Sequence, residues 1–520
     1  MYSPDKPFKV YCKECWYSDK WDPLEYGRQY DFSKSFFKQF SELIRVVPRI
    51  GIMHIHTNIN CDYGNYIADS KNVYLSQSVI ANSENIYYSR NIDKSKDIFD
   101  CFNLKESEQG YELVDGARNY KCKFMVRSRD CINSAFLFDC VNCQNCFMSV
   151  NLRNKQFMVR NQQYTKERYE AEIKKHQTWA HSNLAALKEE FRSLMKQALH
   201  KFGNLTKVVN CTGNNIDTSK NARDSFDAYN SENVRYCVRM VGAADSHDVM
   251  AAVNPELAYD VLAGGYGSRN SKFTDHSDAT IESEYTNWCQ NSIHLFGCAG
   301  LRKKQYCIFN KQYSKESFNN LRTKIIAHMN EMPHVDKNGK IYTYGEFFPI
   351  EISPFAYNET IAQEYFPLIK EQAFERGYAW RDSDPSPHKS TIAAENLSDD
   401  IASTPESVTN EIISCVDCDK PYRILKQELE FLKQHGIALP RACPECRHKA
   451  RFNLRNPLKL WHRQCMCNRQ IANGISHAAY KNTSAHLHGD KSCPNEFETS
   501  YSPDRLEIVY CEQCYNAEVA

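Results

Sequence analysis

No stretch of this 520-residue chain approaches the ~18 consecutive apolar residues that a membrane-spanning helix needs. Its first ten residues, MYSPDKPFKV, lack the basic and then apolar arrangement of a secretion signal. The formal net charge is only +1, so no overall attraction to nucleic acid or to a membrane is expected. These absences predict a cytoplasmic protein without membrane contacts.

Motifs that mark common enzyme classes are also missing. The sequence contains no G-x-S-x-G, no G-x4-G-K-[ST] and no H-E-x-x-H. Asp100, Asp130 and Asp139 could line a groove as acid and base, as in solenoid enzymes that cleave polysaccharides. Asp97 and Asp130, however, occupy a recurring Asn/Asp position, which favours a structural role. We therefore expect a non-enzymatic protein, with a carbohydrate-active β-solenoid enzyme as the alternative.

The most prominent positive feature is internal repetition. Residues 60–72 recur at 210–221, and residues 152–167 recur at 301–316, with offsets of 149 or 150 residues. Duplications of this kind predict two homologous lobes.

A finer repeat runs inside each lobe. Ser, then Asn or Asp two positions later, then usually an apolar residue, recurs at intervals of about 12 residues, as at Ser70, Ser83, Ser95 and Ser231. At ~3.3 Å per residue, such a unit has about 40 Å of contour, enough for two short strands and two corners or half of a larger coil. The pattern predicts a mainly β fold of two β-solenoid lobes related by duplication. An irregular meander of short strands is the alternative.

Apolar residues at helical spacing follow each lobe and predict capping helices, one ending near Gly203 and one running from Ser314 to about Met329. Residues 381–412 are polar, contain three prolines and lack apolar periodicity, which is typical of a flexible linker. The expected domains are a half zinc ribbon with a helix (1–54), lobe 1 with its cap (55–203), lobe 2 with its cap (204–332), a mixed segment (333–380), the linker (381–412) and a C-terminal zinc-ribbon module with two sites (413–520).

Cysteine is abundant, with 23 residues, and its spacing near the C-terminus indicates metal binding. Cys415 and Cys418 form one C-x2-C pair, and Cys443 and Cys446 form another after 24 intervening residues. Two such pairs can place four thiolates around a tetrahedral zinc ion with no open position for a substrate. We therefore predict a structural zinc site.

A second zinc site is predicted nearer the C-terminus. Cys511 and Cys514 form its secure pair, and we favour Cys467 and Cys493 as the other two ligands. Cys465 or a histidine could replace either of these, because His477, His486 and His488 lie in the same stretch.

The N-terminus repeats part of this second motif. Residues 2–5 precede Cys12-x-x-Cys15 in the same register as residues 501–504 precede Cys511-x-x-Cys514, at an offset of 499. Either the sequence begins inside a longer domain, which we favour, or Cys12 and Cys15 recruit other ligands such as His54 and His56. A third zinc ion at Cys12 and Cys15 is therefore part of the prediction.

The central cysteines are interpreted as small buried residues. Cys140, Cys143 and Cys146 form C-x2-C-x2-C, but Val150 stands where an iron–sulfur motif would place its fourth ligand. Cys101 and Cys237 occupy positions that other repeat units fill with serine, so packing explains them best.

One stretch is strongly basic. Residues 441–469 carry a local charge of +7, and Phe452 and Trp461 lie among the basic residues. Basic and aromatic side chains together can grip phosphates and stack on bases. We predict RNA or DNA binding through Arg441, Arg447, Lys449, Arg451, Arg455, Lys459 and Arg463; Arg469 completes the charge count. A protein partner is the second candidate, and a solvated face or a face docked on the protein's own acidic lobes is the alternative.

Residues 415–455 and 493–515 resemble a zinc-ribbon domain found in uncharacterised zinc-ribbon/β-solenoid repeat proteins of ultra-small candidate-phylum bacteria. The resemblance is carried by Tyr422-Arg423-Ile424, Leu439-Pro440-Arg441, Cys443-Pro444-Glu445-Cys446-Arg447 and Cys493-Pro494-Asn495-Glu496-Phe497. The lobes are similar to the middle of those proteins. The resemblance implies zinc binding at the matching cysteines and implies no activity.

Overall fold

The computed structural model describes residues 2, 5–175, 179–233, 238–241, 267–382, 384, 386–467, 482–489 and 491–519. The chain is mainly β, and its largest sheet has 15 short strands, which we call the first ladder. These strands are His54–Ile55, Ile59–Asp62, Asn65–Ala68, Lys71–Tyr74, Gln77–Ile80, Glu84–Tyr87, Arg90–Asp93, Lys96–Phe99, Phe102–Lys105, Glu108–Ala117, Lys123–Val126, Ala135–Phe138, Phe147–Val150, Met158–Val159 and Gln162–Gln163.

Paired strands of the first ladder run parallel up to its final hairpin, and each residue pairs with one that lies 12 or 13 positions farther along the chain. Ile86 pairs with Ile98 at an offset of 12, and Val73 pairs with Ile86 at an offset of 13. The final hairpin, formed by Met158–Val159 and Gln162–Gln163, is antiparallel. This register places like residues of successive repeat units above one another.

The backbone of the first ladder turns at every third residue. Non-glycine residues with positive φ recur with this period along residues 85–160, among them Asp97, Asp100, Asn103, Glu106, Gln109, Glu112, Asp115, Arg118, Lys121, Phe124, Arg127, Asp130 and Phe136. A 12-residue offset therefore contains four turning positions, where the repeat spacing predicted either two corners or half of a larger coil for each unit. A left-handed backbone costs an ordinary residue about 1–2 kcal/mol, so side chains such as Phe124 and Phe136 do not mark a turn in the sequence.

Between these turning positions, one residue in three points into the ladder. Ile98, Leu113 and Leu137 are fully buried there and form part of a continuous apolar core. The interior is narrow: a Cβ added to Gly110 would come within 2.7 Å of Leu113 Cδ1. Glycine therefore fits where a larger side chain would collide with its neighbours.

Serine and cysteine fill a recurring interior position. Ser76 Oγ accepts a hydrogen bond from the Ser89 N–H at 3.0 Å and donates one to the Tyr74 carbonyl at 2.9 Å. The Leu113 N–H donates to Cys101 Sγ at 3.2 Å in the same arrangement. Cysteine thus replaces serine as a small side chain that forms hydrogen bonds with buried backbone groups.

A row of amide and carboxylate side chains ties successive turns together. Asn60 Nδ2 donates to Asn72 Oδ1 at 3.2 Å, Asn72 to Asn85 at 2.8 Å, and Asn85 to Asp97 at 2.7 Å. All four residues have positive φ, a conformation that Asn and Asp tolerate better than most. The recurring Asn/Asp position of the sequence is therefore a stacked turning position.

Further strands lie between residues 205 and 312, and they pair in parallel except for the antiparallel hairpin of Gln305–Ile308 and Lys311–Gln312. One sheet contains Leu205–Thr206, Gly213–Asp217, Ser225–Tyr229 and Val238–Val241, and another contains Lys272–Asp275, Asp278–Ile281, Glu284–Asn287, Gln290–Ala299, Gln305–Ile308 and Lys311–Gln312. Ile216 pairs with Ala228, and Glu284 with Phe296, both at an offset of 12. Cys237 of the predicted repeat unit lies outside the described residues.

Helices pack beside these ladders. The α-helices are Lys13–Tyr17, Phe36–Val46, Lys166–Lys175, His181–Gln197, Lys315–Glu331, Ala362–Tyr365, Lys370–Glu375, Lys426–His435, Pro444–Phe452 and Glu512–Val519. Where one first capping helix was predicted, the structure has two, and the second packs Leu184, Leu187 and Phe191 against the first ladder. The predicted second cap begins after Ser314 and ends two residues beyond Met329.

The segment predicted as a flexible linker contains ordered elements. It includes the strand Ile392–Ala393 and the 3-10 turns Ala394–Asn396, Ile401–Ser403 and Glu406–Asn410. Leu397, Ile401 and Val408 are buried in the same core as Leu429 and Leu432 of helix Lys426–His435. The prediction of an open linker is wrong for these residues, because their few apolar side chains are spaced for short turns rather than for a helix or strand.

Short strand pairs attach both ends of the chain. Val10–Tyr11 pairs in parallel with Arg49–Ile50, and Ile508–Tyr510 pairs in parallel with Leu199–Lys201. The remaining strands are His334–Val335 with Ile341–Tyr342, Ile392–Ala393 with Ile413–Ser414 and Pro421–Tyr422, and Trp461–Gln464 with Glu496–Thr499; the other 3-10 turns are Pro23–Tyr26, Ile350–Ile352 and Tyr357–Glu359. The C-terminal cysteines are therefore held beside the first ladder.

Candidate metal centres

The cysteines at 415, 418, 443 and 446 meet in one group, which we call the proximal cluster. Their four sulfur atoms all lie within 4.8 Å of one another, and Cys418 Sγ is 3.8 Å from Cys443 Sγ. Cys415 and Cys418 lie in the turn between strands Ile413–Ser414 and Pro421–Tyr422, while Cys443 caps helix Pro444–Phe452. Two separate turns thus bring their sulfurs to one point.

Backbone N–H groups point at the sulfur of Cys415 in the proximal cluster. The Cys443 N–H lies 3.1 Å from Cys415 Sγ, and the Asp417 N–H lies 3.4 Å from the same atom. Burial alone raises the pKa of Cys415, but these hydrogen bonds outweigh it and lower the pKa below the ordinary value. The arrangement favours a thiolate, which is the form that binds a metal ion.

A second group, the distal cluster, lies where strands Trp461–Gln464 and Glu496–Thr499 meet helix Glu512–Val519. Sulfurs of Cys465, Cys467, Cys493 and Cys514 lie within 4.8 Å of one another. Cys493 Sγ is 3.7 Å from Cys514 Sγ and 3.9 Å from Cys511 Sγ. The four favoured cysteines therefore gather here together with Cys465.

Two histidines belong to the same neighbourhood. Cys467, His486, His488 and Cys514 form a further group whose ligand atoms lie within 4.8 Å of one another. From the sequence, both histidines were predicted only as possible replacements for Cys467 or Cys493. The C-x-C spacing of 465 and 467 and the H-x-H spacing of 486 and 488 are nevertheless typical of paired ligands. His477, considered with them, lies outside the described residues.

Hydrogen bonds inside the distal cluster favour a thiolate at Cys511. The Cys511 N–H donates to Cys465 Sγ at 3.2 Å, and the Cys514 N–H donates to Cys511 Sγ at 3.5 Å. Contacts with Cys465 lower the pKa of Cys511 to about 4, despite an opposing effect of burial. The chemistry of both clusters is therefore that of groups that could hold a metal ion.

Cys12 and Cys15 form the same local turn as Cys511 and Cys514, but among the described residues they are not grouped with other potential metal ligands. The Cys15 N–H lies 3.4 Å from Cys12 Sγ, much as Cys514 approaches Cys511, and both residues are exposed. Within the described part of the chain, no group of three or more potential ligands includes them. His54 Nε2 contacts the Gly64 carbonyl and His56 contacts Asp69, so the alternative ligands proposed from the sequence have other partners.

The central cysteines behave differently. Cys131, Cys140 and Cys146 each direct Sγ toward backbone carbonyls, for example Cys131 toward Arg129 O at 3.2 Å. Burial raises the pKa of Cys122 to about 12, so its thiol stays protonated. Among the described residues, no candidate metal group contains Cys140, Cys143 or Cys146.

The predicted basic face is not assembled at the surface, and this corrects the sequence interpretation. Side chains of Arg447, Arg451 and Arg455 are 3–5% exposed, and Arg441 is also buried. Their partners are Leu397 O for Arg441, Asp100 and Glu428 for Arg447, Asp100 for Arg451, and Asp115 and Asp227 for Arg455. Carboxylates from distant segments neutralise Arg447, Arg451 and Arg455, which therefore dock the tail on the ladders.

The other basic residues of that prediction lie elsewhere. Lys449 and Lys459 are exposed, and Lys459 lies over the Trp461 ring. Arg463 contacts the carbonyls of Tyr501 and Ser502, and Arg469 is outside the described residues. Nucleic-acid contact through the exposed lysines stays a prediction.

The three carboxylates considered as acid and base do not converge. Asp100 pairs with Arg447 and Arg451, Asp130 with Arg118, and Asp139 with Arg153. Only Asp139 of the three lines the cavity of about 670 Å³ beside the first ladder. Their ion pairs give each of them a structural role.

No protein-family model, curated protein or solved structure matches the chain. Among the described residues, no helix has both the length and the apolar character needed to cross a membrane.

Proposed function

We propose that this chain is a zinc-stabilised, non-enzymatic interaction protein whose proximal and distal clusters each hold zinc. The distances between sulfurs carry the proposal. A tetrahedral zinc ion with Zn–S bonds of ~2.3 Å places its sulfurs about 3.8 Å apart. The measured separations are 3.8 Å in the proximal cluster and 3.7 and 3.9 Å in the distal cluster.

The role of the proximal zinc is to fold and fix the tail. Cys415, Cys418, Cys443 and Cys446 would complete its shell and leave no position for a substrate, as in structural zinc sites. The helix that begins after Cys443 carries Arg447 and Arg451, which pair with Asp100 of the first ladder. Zinc would therefore order the helix that attaches the tail. Thiolate ligands of this kind persist in a reducing compartment, which supports a cytoplasmic location.

The fold proposal is two β-solenoid lobes related by duplication, with a zinc-ribbon tail of the family that the sequence resembles. Parallel pairing at an offset of 12 residues in both halves supports it. Further support comes from matching contacts 149 residues apart. Arg153 lies against Tyr515 after the C-terminal C-x2-C pair, and Arg302 lies against Trp16 after the N-terminal pair.

A third zinc ion at Cys12 and Cys15 is part of the same proposal. The shared N–H to Sγ contact and the matching arginine–aromatic contact support an equivalent half-site. Two thiolates supply only half of a four-ligand shell. The other ligands would come from another chain or from residues outside the described ranges.

For the partner, the observations favour a protein over nucleic acid. Four of the seven predicted basic residues are buried and have partners within the chain, as described above. Phe366, Ile369 and Phe374, by contrast, are 55–59% exposed in one short segment. Exposed apolar side chains of this kind fit a protein surface better than a phosphate backbone.

Zinc content of the purified full-length chain tests the proposal. Cys415→Ser/Cys443→Ser should lose one zinc ion, and Cys493→Ser/Cys511→Ser should lose at least one, each measured by elemental mass spectrometry. The matched control, Cys131→Ser/Cys143→Ser in the first ladder, should retain the full content. A wild-type chain that binds no zinc, or binds iron instead, would contradict the proposal.

The nucleic-acid alternative has its own test. We expect no shift of mixed RNA at physiological salt. A salt-dependent shift that disappears in Lys449→Glu/Lys459→Glu would establish nucleic-acid binding and overturn the choice of a protein partner.

A further inference from the structure

The distal cluster contains more ligands than one zinc ion can use. Seven side chains with metal-binding atoms gather there: Cys465, Cys467, Cys493, Cys511, Cys514, His486 and His488. A zinc ion in a closed protein site takes four. Three ligands are therefore left over in a small and largely buried volume.

The candidate ligands fall into two groups that share members. Cys465, Cys467, Cys493 and Cys514 form one, and Cys467, His486, His488 and Cys514 form the other. His488 Nε2 lies 3.3 Å from Cys467 Sγ and 3.4 Å from Cys514 Sγ. A tetrahedral ion bound by nitrogen and sulfur would separate these atoms by about 3.6 Å.

A carboxylate orients one of the two histidines in the way that is common for metal ligands. The His486 side chain is 2% exposed, and its Nε2 donates to Glu518 Oε1 at 2.9 Å. Thr483 holds that carboxylate in place through its N–H and its hydroxyl. A carboxylate on one imidazole nitrogen is the usual support for a histidine whose other nitrogen binds a metal ion.

The second nitrogen of His486 agrees with this assignment. His486 Nδ1 is buried and has no hydrogen-bond partner within the described part of the chain, and the nitrogen of His488 that faces the sulfurs is Nε2. Buried polar atoms normally have a hydrogen-bond partner, and a bound ion is one explanation for an atom that has none. Because Glu518 contacts His486 Nε2, the unpartnered Nδ1 is the nitrogen that is available to bind a metal ion.

Burial agrees with an enclosed metal site. Cys465, Cys467, Cys493, Cys511 and Cys514 are all at least 94% buried.

We infer that the distal cluster binds two metal ions. His486, His488, Cys467 and Cys514 bind the second ion, while the first ion draws on Cys465, Cys493 and Cys511. These three sulfurs are one short of a four-ligand shell, so the first ion shares at least one thiolate with the second. The inference rests on the proposed zinc function and extends it to a thiolate-bridged pair.

Metal content of the full-length chain tests the inference, with Cys12→Ser/Cys15→Ser as the background so that the N-terminal pair does not contribute. We expect about three zinc ions per chain, since one four-ligand site and one two-ion site require that number. His486→Ala/His488→Ala should bind about two. The matched control is His462→Ala, an exposed histidine of the same module that contacts Glu496 and Glu498, and it should still bind three.

Cadmium-113 NMR of the same protein, loaded with cadmium, tests the shared thiolate. Two of three resonances should be split by coupling through a common sulfur, and the splitting should vanish in the double histidine variant. Should that variant fail to fold, Glu518→Gln retains both imidazoles and should weaken the second ion about 10–100-fold.

The outcomes separate the two proposals. Two zinc ions in the background protein, or a count that the histidine substitutions do not change, would overturn the two-ion inference and leave the zinc function intact. Fewer than two would defeat both proposals.

Discussion

Cysteines of the first ladder direct their sulfurs at backbone carbonyls, and they do so even where, as at Cys101, the sulfur also accepts a backbone N–H. In the ladder, Cys131 Sγ points at the Arg129 carbonyl and acts as a donor, which requires the protonated thiol. In the tail, Cys415 Sγ faces the N–H groups of Asp417 and Cys443, which favour the thiolate. Burial together with a carbonyl acceptor keeps a packing cysteine protonated, whereas N–H donors that outweigh burial favour the thiolate of a metal ligand.

The largest expected effect is on the tail. Cys443→Ser should release one zinc ion and unfold the residues around the proximal cluster, because structural zinc contributes roughly 10–16 kcal/mol of apparent binding free energy. Zinc content and limited proteolysis would report both events, and the first ladder should remain resistant. Melting of the ladder and the tail in one coincident transition would contradict this separation.

The next largest effect is expected from the buried ion pairs that join the tail to the first ladder. Asp100→Asn leaves Arg447 and Arg451 buried without their shared carboxylate, and losing one partner of a buried ion pair costs about 3–5 kcal/mol. Urea denaturation measures the loss. Asp130→Asn is the matched control, because its pair with Arg118 is exposed and should contribute about 1 kcal/mol or less. Equal losses from both changes would show that the buried arginines do not attach the tail.

A smaller, pH-dependent effect is expected where the tail strand Ile508–Tyr510 pairs with strand Leu199–Lys201. Burial and the charge of Arg127 lower the pKa of His200 to about 3, and both imidazole nitrogens have partners, Tyr501 and Met195. The unfolded histidine titrates near pH ~6.5, so the stability is complete above that pH and is lost progressively as the pH falls toward 3. At pH 5 the loss should be about 2 kcal/mol.

His200→Gln should reduce the loss of stability between pH 7 and pH 5 by about 2 kcal/mol, and His435, whose pKa burial lowers to about 4, accounts for part of the loss that remains. Denaturation is measured with the zinc content monitored in parallel, because protonation of thiolates also releases zinc in acid. If wild type and variant lose stability equally over this range while zinc stays bound, His200 is not the titrating group.

The smallest effect is expected inside the ladder. Cys131→Ser should change the free energy of unfolding by about 1 kcal/mol or less, because a hydroxyl can donate to the same Arg129 carbonyl. Ser128 already makes the corresponding bond to Val126 O at 3.2 Å. The urea midpoint is the measurement, and a loss as large as that of Cys443→Ser would erase the distinction between the two regions.

Local spacing predicted the part of the molecule that depends on neighbouring residues. The C-x2-C pairs led to the proximal cluster, and the recurring Ser and Asn/Asp positions led to the stacked repeat. The three-residue turn period was missed because left-handed positions hold residues such as Phe124 and Met148, which carry no turn signal.

Contacts between distant segments could not be read from the sequence. The local sequence predicts an exposed cation at Arg455. In the structure, Asp115 and Asp227, which lie hundreds of residues earlier in the chain, neutralise it. Ile401 and Val408 looked like residues of a polar linker, and their burial depends on helix Lys426–His435. Nothing in the residues around these positions encodes such partners.

Cysteine alkylation mapped by mass spectrometry, with and without a zinc chelator, distinguishes metal-bound cysteines from packed ones. We expect the proximal and distal cysteines to become reactive only after chelation, while Cys122, Cys131 and Cys140 stay protected until the ladder unfolds. Tail cysteines that react equally with or without the chelator, or ladder cysteines that chelation exposes, would contradict this expectation.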